Sequence, residues 1–134
     1  QRRLRESPLD VHLATLEAER LPFDDERFDA VVSTWTMCTI ADVPRALAEV
    51  KRVLKPGGKL FFIEHGRDDD PRLQRWQNWW NPAQRIIACG CNTNRDIKAL
   101  IDASGLRITE LHRYFLPKTP KILGSIYRGA ALRN

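Results

Sequence analysis

The chain has 134 residues, 43% of them hydrophobic and 29% charged, with a mean hydropathy of −0.43. That balance excludes a disordered tail and a coiled coil. Its longest apolar stretches, such as Leu60-Phe61-Phe62-Ile63, fall far short of the roughly 20 residues a bilayer crossing needs. Twenty-two basic residues against 17 acidic give +5, and between Arg107 and Asn134 six basic side chains meet Glu110 alone. Such a stretch suits nucleic acid, anionic lipid or an acidic substrate, or else serves as a solvated sheet edge that discourages aggregation. Cys38, Cys89 and Cys91 are odd in number, and the last two lie too close in sequence to staple anything. Free thiols in a reducing, cytoplasmic compartment are expected.

In chain order, the arginine-rich start over 1–6 reads as a helix end, broken by Pro8 before an alternating run, Val11, Leu13 and Leu16, that predicts a strand over 11–16. Phe28 to Ser33 has the β-branched density of a buried strand. From Val43 to Leu54 apolar residues recur at the spacing of one helix face, with Asp42 as N-cap and Pro44 in the first turn. Lys55-Pro56-Gly57-Gly58 predicts a sharp reversal before a strand over 59–64, which makes a βαβ unit and a parallel pair. Leu73, Trp76, Trp79, Trp80, Ala83, Ile86 and Ile87 again follow helical spacing, with Pro82 expected to kink or break the run. A further helix is expected over 95–103, stopped by Ser104-Gly105. Two strands, 106–115 and 122–132, are joined by so short a loop that an antiparallel hairpin is expected. Nothing repeats and no linker interrupts, so residues 1–134 read as one α/β domain.

Leu21-Pro22-Phe23, the run Phe28-Asp29-Ala30-Val31-Val32-Ser33 and Leu54-Lys55-Pro56-Gly57-Gly58 together resemble a class I S-adenosylmethionine-dependent methyltransferase of the type 11 family. Glu64-His65, the tryptophan-rich helix, Gly90-Cys91-Asn92 with Arg95, and Ile122 to Ala130 are similar to its thiol S-methyltransferase branch. The resemblance implies a Rossmann-like fold whose mixed sheet ends in an antiparallel hairpin. It covers only the later part of the family's domain. None of the seven glycines forms G-x-G-x-x-G, and residue 1 is Gln. The chain is therefore expected to be the C-terminal portion of a methyltransferase domain lacking the first strand-helix-strand unit, and inactive alone. Its unpaired strand edges then imply self-association.

What the resemblance implies about the site follows residue by residue. S-adenosyl-L-methionine is the implied cofactor, with Glu17 and Ala18 facing its adenine and Ser33, Thr34 and Trp35 lining its cleft. Two of these have a plainer reading, Glu17 as a surface glutamate and Trp35 as core. His65 is the candidate base for an acceptor that must lose a proton, or a histidine that merely orients a loop. Cys38 faces the acceptor or is a buried thiol. Asn92 and Arg95 organise a substrate lid or cap the next helix. Trp76 and its neighbours roof an acceptor pocket, pack as core or rest on a membrane surface. No metal is expected, since Cys89-x-Cys91 lacks a second pair. Nucleic acid is not an expected partner, because aromatic and basic residues are not interleaved. The implied activity is methyl transfer to a small or lipophilic thiol, amine or quinone-type acceptor. The alternative is a non-catalytic module holding a protein or membrane partner.

Overall fold

The computed structural model describes residues 10–121 and 125–134. Strand β1, Phe28–Thr34, leads through a turn into helix α1, Val43–Val53. Asp42 caps α1 by accepting from the Arg45 amide at 3.0 Å, and the helix buries Val43, Ala46, Leu47 and Val53 along the stripe its spacing predicts. Strand β2, Leu54–His65, runs parallel to β1, as expected of a βαβ unit. Lys55 to Gly58 do not end a turn before the strand; they are an excursion within it. Pairing jumps from Phe28–Leu54 to Ala30–Lys59, with Gly57 at φ +79°. A side chain on Gly58 would sit 2.8 Å from the Lys55 carbonyl, so glycine is required there.

Helix α2, Pro71–Ile87, passes through Pro82 without a break. Pro82 sits on the exposed side, so its ring meets solvent and the cost is a single backbone bond. Helix α3, Ile97–Ala103, is capped by Asp96 through the Ala99 amide. Strands β3, Arg107–Phe115, and β4, Ser125–Leu132, form the expected antiparallel hairpin. The last strand inserts between its predecessors, so the sheet order is β1-β2-β4-β3. Leu47, Leu54, Leu60, Phe62, Ile97 and Ile101 fill the core between one sheet face, α1 and α3. On the opposite face Val32 and Phe61 are exposed.

A further expectation needs correcting. Residues 11–16 form no strand, and only an isolated bridge, Glu17 to Arg20, follows. A strand exists only where a neighbour completes its hydrogen-bond ladder, and among the described residues nothing pairs with this segment. Its Val11, Leu13 and Leu16 are accordingly exposed. The helix end expected at 1–6 and the start of the last strand at 122–124 lie outside the described residues.

Candidate active site

Parallel pairing brings the carboxyl ends of β1 and β2 side by side, where open α/β sheets receive ligands. Just beyond β1 the chain reverses at Trp35, whose φ of +54° places a bulky aromatic in the left-handed region. Such a conformation persists only where its surroundings enforce it. Here the Trp35 amide donates to the Ile63 carbonyl at 2.9 Å, and the indole packs 4.2 Å from the His65 imidazole. Beneath the turn lies Glu64, fully buried. Its carboxylate accepts from Ser33 Oγ at 2.7 Å and from the amides of Thr36 and Met37 at 3.0 Å each. A buried charge satisfied by three donors rigidifies what it touches, so Glu64 fixes the shape of the rim.

A second set of bonds fastens the same turn from below. The Asn92 amide and side chain both donate to the Cys38 carbonyl, at 2.8 and 3.0 Å. The Arg95 guanidinium donates to the carbonyls of Met37 and, at 2.7 Å, Ile40. Asn92 and Arg95 therefore do not cap α3, which Asp96 does; they lock the 37–40 turn to the loop at 89–95. Cys38 is buried within this lock. Burial first, and the neighbouring Cys91 second, push its thiol up to about 12, which leaves it protonated and non-nucleophilic near neutral pH.

Ala18 and Ser33 share an apolar cleft of about 160 Å³ with Thr36, Met37 and Ile40. Glu17 is exposed and lines a neighbouring groove with Arg20 and Phe23. Thr34 opens onto the other sheet face beside Phe61 and Arg128. Cys38, Asn92 and Arg95 come together as described. Trp76 does not join them: it stands edge-to-face with Trp79, ring centres 5.6 Å apart, in a separate surface groove with Arg72 and Arg75. The reason lies in which way α2 faces. Gln77, buried, donates to the carbonyls of Gly66 and Thr93 and accepts from the Asp68 amide, while Asn81 pairs with Asn92 and the Thr93 amide. These polar residues and Glu64 are absent from the candidates read in the sequence. Glu64 had one signal, a lone acid closing the apolar run 60–63.

The family model for a methyltransferase domain matches residues 1–62. Over 79 residues the chain is 45% identical to the ubiquinone/menaquinone biosynthesis C-methyltransferase of Bordetella avium, covering 59% of this chain and 30% of that protein. Over 106 residues it is 33% identical to thiol S-methyltransferase TMT1B of Rattus norvegicus, covering 75% and 43%. Over these stretches the chain is similar to S-adenosylmethionine-dependent methyltransferases. It spans less than half the length of these two curated relatives. Among solved structures, geranyl diphosphate C-methyltransferase from Streptomyces coelicolor, in complex with S-adenosyl-L-homocysteine, superposes with a TM-score of 0.73 at 17% identity, covering 99% of this chain and 59% of that one. A methyltransferase of Methanosarcina mazei gives 0.64 at 20%, covering 87% and 64%. These likenesses show that the chain has the Rossmann-like fold.

The cofactor of this family is S-adenosyl-L-methionine, and the residues at hand fit part of it. At about 160 Å³ the cleft beside Ser33 is smaller than the roughly 300–1,000 Å³ of whole-ligand pockets. Its apolar walls, Ala18, Met37 and Ile40, suit a flat heterocycle, with the Ser33 hydroxyl at its edge.

Proposed function

We propose that this protein transfers a methyl group from S-adenosyl-L-methionine to a small or lipophilic acceptor of thiol, amine or quinone type. When bound, the cofactor supplies an electrophilic sulfonium methyl open to in-line displacement. Ala18 and Ser33 would hold its base in the cleft. The chain's own contribution is otherwise positional, and positioning with exclusion of water can supply most of such a rate. The observation that carries the reading is the enforced left-handed turn at Trp35, held over buried Glu64 and against His65 at the ends of two parallel strands. Strain of this kind collects where a ligand must be held. The indole and imidazole offer an aromatic surface to a planar or lipophilic acceptor, and the imidazole of His65 takes the proton that a thiol or protonated amine sheds. Glu64, Asn92 and Arg95 keep that surface in place without touching the acceptor. The quinone and thiol classes are supported by the relatives, whose names specify quinone biosynthesis and thiol methylation.

The test is calorimetric titration of the full-length protein with S-adenosyl-L-methionine and S-adenosyl-L-homocysteine, followed by methyl transfer to representative thiols, amines and quinols. Binding with turnover of one acceptor class supports the proposal, and His65→Gln should then lower kcat and shift its pH profile. Absence of binding to either form of the cofactor overturns it in favour of the non-catalytic module.

A further inference from the structure

Helix α2 is inside out. Taken at about 100° per residue, Gln74, Gln77 and Asn81 fall on one side, and two of the three are buried against the loops at 66–68 and 92–93. The opposite side, an arc of about 140° on the same spacing, carries Leu73, Trp76, Trp79, Trp80, Ile86 and Ile87. Trp76 is 58% exposed, Trp79 70%, Ile86 85% and Ile87 71%. An apolar patch of that width does not stay in water without a partner.

Charge on the same helix decides which partner. Arg72 and Arg75 lie among the tryptophans and share a groove with Trp76 and Trp79. Arg85, in the last turn, stands on the other side of the helix, toward Arg95. The helix contains no acid, and among the described residues none of the three guanidiniums has an ion-pair partner. Covering this face with an apolar protein surface would bury two unpaired cations, a cost of several kcal/mol per ion. An anionic lipid surface imposes no such cost, since phosphates meet the guanidiniums while indole rings sit at the boundary with the acyl chains. The acidic run Asp68-Asp69-Asp70 at the helix start is offset in part, by one ion pair and by the helix N-terminus. Asp69 is ion-paired with Arg113, Asp70 caps α2 through the Arg72 amide, and the Asp68 carboxylate accepts from the Asp70 amide. No helix among the described residues is long and apolar enough to cross a membrane, so contact of this kind lies in the plane of the interface.

We infer that the exposed tryptophan and arginine face of α2 docks in-plane on an anionic bilayer surface. The docking is independent of methyl transfer. The helix begins at Pro71, six residues after His65 at the rim of the candidate site, so on the reading of the proposed function a lipophilic acceptor would reach the rim along the bilayer that α2 touches.

Co-flotation of the full-length protein with vesicles tests this, using phosphatidylcholine alone and phosphatidylcholine with one quarter phosphatidylglycerol. The expected result is binding to the anionic vesicles that weakens with salt. Trp79→Ala with Ile86→Ala should reduce it at least about tenfold, and Arg72→Gln and Arg75→Gln about fivefold each, while Arg85→Gln, off this face, should leave it nearly unchanged. All five positions are exposed, and an unchanged melting temperature confirms that the variants fold. Failure to bind anionic vesicles overturns the inference, as does binding that the tryptophan variant leaves intact. A concentration-dependent dimer that the same variant abolishes would assign the face to a second copy instead. Vesicle binding without cofactor binding would leave this inference standing and remove the proposed function.

Discussion

Helices α1 and α2 have opposite constructions within one chain. In α1 the apolar residues Val43, Ala46, Leu47 and Val53 face the sheet, and charged Arg45, Lys51 and Arg52 lie toward solvent or the helix end. In α2 glutamine and asparagine face the body and tryptophan and isoleucine face out. Hydrophobic burial holds the first helix, whereas specific hydrogen bonds hold the second. One lesson is that apolar periodicity identifies a helix without saying which side of it is inside. Another is that a helix whose apolar side is free has been positioned by its polar side.

The largest effect expected from testing this contrast is in α1. Leu47→Ala should cost about 2–5 kcal/mol of unfolding free energy in a denaturant titration, since Leu47 is completely enclosed. Next, Gln77→Leu should destabilise by about 1–3 kcal/mol. In an ordinary amphipathic helix a buried leucine would help; here it leaves the Gly66 and Thr93 carbonyls and the Asp68 amide without partners. A stabilised Gln77→Leu variant would break the contrast.

Acid should separate the two helices more finely. Arg52, and behind it the Leu21 amide, hold the Glu49 carboxyl down at about 2, well below the roughly 4.3 of a free glutamate. With the folded value lower than the unfolded one, the stabilisation is complete above about pH 4 and is lost as pH falls toward 2. The 21–25 segment, which Glu49 and Arg52 tether, should loosen from α1 in that window, seen as faster amide exchange. Glu49→Gln should remove the pH dependence. Helix α2 itself has no acid to titrate. The smallest effect belongs to Trp79→Ala, within about 0.5 kcal/mol in the same denaturant titration, although the same substitution should weaken vesicle binding strongly.

Much of the fold was legible because it rests on local signals. Asp42, Pro44 and the apolar stripe announce α1, and the short link between 115 and 122 announces a hairpin. Residues 11–16 show the limit of such signals, since alternation describes a strand's faces and says nothing of whether a neighbour pairs with it. Lys55 to Gly58 show another, because proline and glycine mark an irregularity without distinguishing a turn between elements from a bulge inside one. In the site, the strand ends at Ser33 and His65 could be read from the pattern. Glu64 could not be assigned its task, because the amides it accepts from lie 27 and 28 residues away. Asn92 and Arg95 act over 54 to 58 residues, a distance at which spacing carries no information.

The position of β4 between β2 and β3 also dictates an order of assembly. Among the described residues strand β3 has no partner in the sheet except β4, and β2 waits for β4 along its second edge. Closing the short loop between β3 and β4 costs far less chain entropy than bringing β4 back to β2 across two helices. The hairpin therefore forms early and docks as a unit, inserting one ready-made strand with another already attached. Until it does, the long edge of β2 is open to any neighbouring chain, and the interval before docking is when this protein is most prone to aggregate.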